Sequence, residues 1–152
     1  MNDLACLSDT NILLRLESGR RPDFKVVADC ISRLRQQDIV LYYTPQCIAE
    51  FWNVSTRPEG VNGFGLTVEQ TQVSALAVEK EFVLLPDIPA IHAEGRKLVF
   101  AYQVKGTKVY DARLVATMQV YGIRCLPTLN PADFHRYPGI QVLTPKDVLA
   151  SL

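Results

Sequence analysis

Apolar residues occur along this chain in two patterns: short continuous runs, and longer stretches in which they recur every three or four positions. The continuous runs predict strands at 4–7, 39–43, 82–85 and 123–126, and a weak edge strand at 140–143. The spaced stretches predict a helix after Asp9 and further helices at 23–37, 45–54, 67–81, 90–104 and 111–121. Strands that alternate with helices indicate an α/β fold with a mainly parallel sheet.

Prolines and glycines mark the boundaries between these elements. Thr44 and Pro45 are an N-cap and a first-turn proline for one helix, while 57–65 holds one proline and three glycines and predicts a loop. The segment 105–108 predicts a basic loop, and Asn130-Pro131 predicts a short helical turn.

Length and composition describe an ordinary globular protein. The 152 residues fit one domain over 1–152, and 48% of them are apolar and 21% charged, which excludes disordered and fibrous classes. Sixteen basic residues balance sixteen acidic ones, so any binding to RNA must use a local patch rather than a bulk positive field. No segment approaches the ~20 apolar residues of a membrane span, and the N-terminus does not resemble an export signal.

The cysteines and histidines exclude two kinds of site. His92 and His135 are not at metal-ligand spacing from a cysteine, which argues against structural zinc and against a histidine-based triad. The cysteines form no CxxC pair and mostly lie in apolar stretches, where reduced thiols pack well. A reducing cytoplasm is therefore expected for a chain with Cys6, Cys30, Cys47 and Cys125.

Four carboxylates are the candidates for chemistry. Asp9 follows the first predicted strand, at the edge where open parallel sheets place functional groups, although it or Ser8 could simply cap the next helix. Glu50 shares a helix face with apolar residues, so its charge needs compensation by a cation or by an arginine. Asp111 points toward the core from the start of a helix, where the helix dipole is the alternative explanation.

Asp133 follows the last clear strand and could return to the same edge of the sheet, or lie in a surface turn. Together these oxygen donors are the set that hard divalent cations such as Mg²⁺ or Mn²⁺ prefer. Such cations would support hydrolysis of a phosphodiester. Basic residues near the acids in sequence could hold a polynucleotide backbone, or be solvated surface charges: Arg113, Lys108, Lys105 and Arg57.

At these residues the sequence resembles the PIN-domain nucleases, in particular the VapC-like ribonuclease toxins. The likeness covers nearly the whole chain and is carried by four segments: Asp9-Thr10-Asn11, Ala49 to Val54 with Thr56-Arg57-Pro58, Tyr110 to Ala116, and Thr128 to Phe134. Three positions depart from the family pattern. Tyr110 stands where a histidine is frequent, Pro127 where an apolar residue such as leucine is common, and Asn130 where many relatives have an acid.

The resemblance implies metal-ligand roles for Asp9, Glu50, Asp111 and Asp133, supported by Thr10, Asn11, Thr128 and Asn130. It implies a three-layer α/β/α sandwich and a cytoplasmic, metal-dependent endoribonuclease, the toxin of a toxin–antitoxin pair. A cognate antitoxin and a homodimer are the implied protein partners. Two alternatives stay open: a haloacid-dehalogenase-type phosphohydrolase, which would have a second aspartate at Asn11, and a PIN-like module that binds RNA or protein without cutting.

Overall fold

The computed structural model describes residues 4–17, 19 and 21–151, and this part of the chain forms five strands and seven α-helices. The strands are β1 (Ala5–Leu7), β2 (Val40–Tyr43), β3 (Val83–Leu84), β4 (Cys125–Pro127) and β5 (Gln141–Leu143). The helices are α1 (Thr10–Arg15), α2 (Phe24–Gln36), α3 (Pro45–Thr56), α4 (Val68–Glu81), α5 (Pro89–Ala101), α6 (Lys108–Tyr121) and α7 (Pro145–Ala150). Two short 3₁₀ turns cover Glu59–Val61 and Pro131–Phe134.

The five strands form one parallel sheet in the order β3-β2-β1-β4-β5. Helices flank the sheet, with α5 against α6, α2 against α7, and α3 against α1 and α4. The predicted three-layer α/β/α architecture with a parallel sheet is confirmed. β1 is the central strand of the sheet, and all three of its residues are buried, which explains why this run of the sequence is continuously apolar.

The order of the strands reverses direction at β1, and this reversal locates a crevice. From β1 the chain moves to β2 and β3 on one side, and later returns to β4 and β5 on the other. In open α/β sheets, ligands bind beyond the carboxyl ends of the strands at such a switch point. Here the backbone N–H of Asp9 donates to the carbonyl of Pro127 at 3.2 Å, so the residues after β1 and β4 lie side by side.

The helix that presents Glu50 is held by its cap and its buried face. The Thr44 hydroxyl accepts a hydrogen bond from the backbone N–H of Cys47 at 3.1 Å, and Pro45 begins α3, as the sequence predicts. Cys47, Phe51 and Ser55 are buried at four-residue steps along one side. This packing sets the rotation of α3 and hence the direction of Glu50.

The structure differs most from the sequence prediction at two helix boundaries and one additional helix. Helix α5 ends at Ala101 because Gln103 and Gly106 adopt positive φ angles of 50° and 61°, which the right-handed helix does not allow. Helix α6 begins at Lys108, so Lys108 is helical rather than part of the predicted loop. Helix α7 was not predicted, although the hydroxyl of Thr144 and the carboxylate of Asp147 form a capping box at its start.

The expected reduced state of the cysteines holds for only two of them. Cys30 and Cys47 are free and buried. Cys6 and Cys125 are joined as a disulfide, with their Cα atoms 4.6 Å apart. The cause is the register of β1 and β4, which places Cys6 opposite Cys125 although 119 residues separate them in sequence.

No helix that the structure describes is long and apolar enough to cross a membrane.

Candidate active site

Asp9 is the centre of a hydrogen-bond network at the carboxyl end of β1. Its Oδ1 accepts from the backbone N–H of Thr10 at 2.7 Å, and its Oδ2 accepts from the Thr128 hydroxyl at 2.8 Å and the Asn11 amide at 3.3 Å. Asp9 is the N-cap of α1, so the helix-capping role that was the alternative to a metal-ligand role is confirmed. Capping uses only Oδ1, and leaves Asp9 facing the other acids.

Asn11 and Thr128 tie the two halves of the site together. The Asn11 amide also donates to the Thr128 hydroxyl at 3.1 Å, and its carbonyl oxygen accepts from the backbone N–H of Leu129 at 3.1 Å. The backbone N–H of Asn130 donates to the same hydroxyl at 3.0 Å, while the Asn130 side chain is not a helix cap. These contacts fix the orientation of Asp9 against β4.

Glu50 reaches the same crevice from α3. Its Oε2 accepts a hydrogen bond from the Thr10 hydroxyl at 3.0 Å, and its Oε1 accepts from the Gln46 amide at 3.1 Å. Gln46 lies one turn before Glu50 and also donates to the backbone carbonyl of Tyr110 at 2.9 Å. Glu50 is thus held by neutral donors, and no arginine pairs with it among the described ion pairs.

Asp111 and Asp133 share one cation. The ammonium group of Lys108 lies 2.5 Å from Oδ1 of Asp133 and 3.9 Å from Oδ2 of Asp111. Lys108 and Asp111 are three residues apart in the first turn of α6, so both point to the same side. The 3₁₀ turn after β4 brings Asp133 to them.

The four carboxylates influence one another electrostatically. Burial raises the pKa of Asp9, hydrogen bonds from Thr128 and Thr10 lower it, and the charges of Glu50 and Asp133 raise it. Burial also raises the pKa of Asp111 to about 6, helped by the charges of Asp9, Asp133 and Glu50 and opposed by Lys108. Because Asp9 and Asp111 both resist ionisation, a bound cation would be favoured beside them.

The donor chemistry of this site fits a divalent cation. Carboxylate oxygens are the ligands that Mg²⁺ and Mn²⁺ prefer, and four of them meet here at the switch point of the sheet. In this conformation, however, no three His, Cys, Asp or Glu side chains among the described residues lie close enough to hold one ion. In this conformation the acids are neighbours rather than a preformed metal cage.

The basic residues named from the sequence fall in three places. Lys108 lies among the acids, whereas Lys105 and Arg113 line a neighbouring groove. The Arg113 guanidinium donates to Oε1 of Gln46 at 3.1 Å and pairs with Asp87 at 3.0 Å. Arg57 follows α3 at the end away from Pro45, and its guanidinium donates to the Asn62 carbonyl at 2.9 Å, so its described contact is with the loop rather than the acids.

Sequence reasoning did not identify Gln46 or Asp87. Gln46 precedes Glu50 by four residues, a spacing at which helix side chains meet, and this signal could have found it. Asp87 lies between two prolines in a segment that predicts only a boundary, so its pairing with Arg113 has no local signal.

The fold of this chain occurs in several solved structures. VapBC2 from Rickettsia felis, bound to a promoter DNA fragment, has 15% identity and a TM-score of 0.69, covering 92% of this chain and 98% of that one. A toxin–antitoxin complex from Klebsiella pneumoniae has 25% identity and a TM-score of 0.58 over 92% and 97%. VapC20 from Mycobacterium tuberculosis, a toxin that cleaves the sarcin–ricin loop, has 15% identity and a TM-score of 0.56 over 80% and 86%.

Sequence comparison gives a family match of the same kind. No curated protein matches significantly. The family model for the PIN domain matches residues 6–140, a span that contains Asp9, Glu50, Asp111 and Asp133. Since this match covers most of the chain and the fold agrees with it, the chain belongs to the PIN-domain family.

Proposed function

We propose that this chain is a divalent-metal-dependent endoribonuclease and the toxin of a toxin–antitoxin pair. The observation that carries the proposal is the meeting of four carboxylates, from Asp9, Glu50, Asp111 and Asp133, at the switch point of a PIN-domain sheet. Acids alone repel an RNA phosphate, so the site acts on RNA only with a cation such as Mg²⁺ or Mn²⁺.

Asp9, Asp111 and Glu50 are the proposed ligands, with Asp133 as a fourth. When bound, the cation lowers the pKa of an attacking water and neutralises charge on the phosphate. Thr128 and Asn11 hold Asp9 in place, and Thr10 holds Glu50, so the carboxylates keep their direction. Asn130 positions a second, weakly held ion through water.

Lys108 has two states in this proposal. Without metal, its ammonium group neutralises Asp133 and partly Asp111. A bound cation would supply that positive charge instead, and Lys108 would then be available to hold a phosphate of the RNA strand. Lys105 contacts the backbone beyond the cleaved bond. Arg113 and Arg57 are weaker candidates, because Arg113 is paired with Asp87 and the Arg57 guanidinium donates to the Asn62 carbonyl.

The proposed partners follow from the structural relatives. Two of the similar structures are described as VapBC or toxin–antitoxin complexes, which supports a cognate antitoxin that blocks this site. We also propose a homodimer, which light scattering tests, since a clean monomer over a range of concentrations contradicts it.

The cytoplasm is the proposed location, because RNA, the proposed substrate, is present there. The free thiols of Cys30 and Cys47 agree with a reducing location, whereas the Cys6–Cys125 disulfide is an observation against it. Alkylation of thiols in intact cells tests the location, and recovery of Cys6 and Cys125 as a linked pair contradicts it.

Two other functions were open from the sequence. Membership in the PIN-domain family argues against the haloacid-dehalogenase alternative. Asn11 also supplies an amide, where such enzymes need a second aspartate. A non-catalytic PIN module has one observation in its favour: the acids do not converge as a ready site, and Lys108 is bound to Asp133. The experiment below separates it from a nuclease.

The test is cleavage of a labelled structured RNA with Mn²⁺ or Mg²⁺, repeated in EDTA. Asp9→Asn keeps the shape of the residue and removes its charge. Asp29→Asn, at an exposed aspartate of α2 that pairs only with Lys25, is the matched control. We expect metal-dependent cleavage by wild type and Asp29→Asn, and none by Asp9→Asn. If all three are inert on several RNAs and calorimetry detects no Mn²⁺ binding, the non-catalytic module replaces the nuclease.

A further inference from the structure

A groove of about 570 Å³ lies between α5 and α6. Its lining is mostly apolar and includes the buried side chains of Ile91 and Val104. Phe100 also lines it, although 79% of Phe100 is exposed to solvent, the highest exposure among the large hydrophobic residues of the described chain. The volume lies within the range of sites that bind small molecules or single residues of a polymer.

The charged side chains of this groove all have one sign. Arg96, Lys105 and Arg113 line it together with His92, and no aspartate or glutamate does. Arg113 is paired with Asp87 at 3.0 Å, so the positive charge that no described ion pair neutralises comes from Arg96 and Lys105. It is the kind of local patch that a neutral protein needs to hold a polyanion.

The groove borders the carboxylate site at Arg113, which lines the groove. Gln46 accepts a hydrogen bond from Arg113 and donates one to Glu50, each at 3.1 Å. A polymer that reaches the Arg113 end of the groove is therefore separated from Glu50 by a single side chain, that of Gln46.

We propose that this groove binds an unpaired nucleotide of the RNA strand, with its base stacked on Phe100 and its phosphates beside Arg96 and Lys105. The proposal rests on the ribonuclease function proposed above and specifies its substrate as a single-stranded or unstacked segment. Arg96 and Phe100 are four residues apart on α5, so they present a guanidinium and an aromatic ring on one face. Exposed aromatic rings beside basic side chains are how proteins hold single strands.

Charge favours this occupant over a second copy of the chain. A symmetric dimer across the groove would place the same basic residues of both copies near each other, which is unfavourable. A polynucleotide instead brings one negative charge for each nucleotide, and a flat base for the exposed ring.

The test measures binding without catalysis. A fluorescein-labelled single-stranded oligoribonucleotide is titrated with the protein in EDTA, and the titration is repeated with an abasic strand that has the same phosphates. Phe100→Ala should weaken binding of the base-bearing strand by about tenfold and leave the abasic strand unchanged, while Phe100→Trp should restore binding. Arg96→Ala should weaken both strands. Lys97→Ala, which removes an exposed charge of the same helix outside the groove lining, is the matched control.

Equal binding of the base-bearing strand by Phe100→Ala and Lys97→Ala overturns the proposal. A change of oligomeric mass in Phe100→Ala, with RNA binding unaltered, reassigns the groove to a contact between copies. If an acidic peptide displaces the RNA and nucleobase and phosphate analogues do not, the groove is reassigned to a protein partner. The nuclease proposal and the groove proposal can fail separately. If RNA binding depends on Phe100 but no metal-dependent cleavage occurs, only the nuclease proposal is rejected. If cleavage occurs but RNA binding does not depend on Phe100, only the groove proposal is rejected.

Discussion

Thr10 donates a hydrogen bond of 3.0 Å from its hydroxyl to Oε2 of Glu50, and so joins the first residue of α1 to the middle of α3. Thr10 is buried next to Asp9, whose carboxylate accepts from the Thr10 backbone N–H at 2.7 Å. One residue therefore holds two of the four acids, one through its main chain and one through its side chain. This makes Thr10 a positioning residue for the site.

We expect Thr10→Val to keep the volume at this position and lose the hydrogen bond to Glu50. Glu50 would then be held by Gln46 alone, and misplacement of a catalytic group by about 1 Å can lower a rate by about 100-fold. Single-turnover cleavage should fall by about 10- to 100-fold, and Thr10→Ser should recover most of it. Thr56→Val removes a comparable hydroxyl contact, to the Trp52 carbonyl at 2.7 Å, at the other end of α3 and should leave the rate unchanged. Wild-type cleavage by Thr10→Val contradicts the positioning role.

The metal-free protein should become less stable as the pH rises through the range in which Asp111 ionises. Its folded-state pKa of about 6 lies above the ordinary value of 3.8, so the folded state binds this proton more tightly than the unfolded state. That contribution is complete below about pH 4 and is lost as the pH rises toward about pH 6. Asp111→Asn should therefore raise Tm in EDTA by about 2–4 °C near neutral pH and by much less near pH 4.

Thermal unfolding followed at both pH values checks this, with Asp29→Asn as the exposed control. Burial is the largest cause of the raised pKa of Asp111. The charges of Asp9, Asp133 and Glu50 add to it, and the charge of Lys108 opposes it. A Tm gain for Asp111→Asn that does not depend on pH would show that packing rather than charge is responsible.

Mn²⁺ should stabilise the wild-type protein through the same acids. A ligand at about one hundred times its Kd adds about 2.7 kcal/mol to the free energy of unfolding, which corresponds to a rise in Tm of about 5–10 °C for a chain of this size. Asp9→Asn should lose most of this rise, because it removes one charge from the cluster. An equal rise in wild type and Asp9→Asn would mean that the ion binds elsewhere.

Lys108→Gln should tighten Mn²⁺ binding by up to about fivefold. Lys108 lies 2.5 Å from Asp133 and competes with the metal ion for this carboxylate. Isothermal titration measures the change, and Lys97→Gln, at an exposed lysine of α5, is the control for net charge. Weaker Mn²⁺ binding by Lys108→Gln than by Lys97→Gln would contradict competition.

The sheet and all helices but α7 were predictable because their signals are local, and local signals also indicated the acids that the structure places near the switch point, whose roles stay a prediction. Asp9 after a buried strand and Glu50 on the apolar side of α3 are visible from spacing alone. The directions of those side chains follow from the elements that present them. The four-segment resemblance then gave the order in which the sheet brings them together, and the switch point at β1 agrees with it.

Contacts between distant residues account for what was missed. The pairing of Cys6 with Cys125 depends on strand register, and that of Arg113 with Asp87 depends on how α6 packs beside a proline-bounded segment. The closeness of Lys108 to Asp133 depends on where α6 begins, which the periodicity placed three residues too late. Helix α7 is the exception, because its capping box is a local signal that was available.

The neighbouring positions of β1 and β4 have a consequence for the timing of synthesis. Thr128, which orients Asp9, is made 119 residues after it. A nascent chain on the ribosome therefore cannot complete the site until β4 and the residues after it have been made, and a product truncated before Thr128 lacks it. For the proposed ribonuclease, this order of assembly delays activity until the residues that follow β4 have been made.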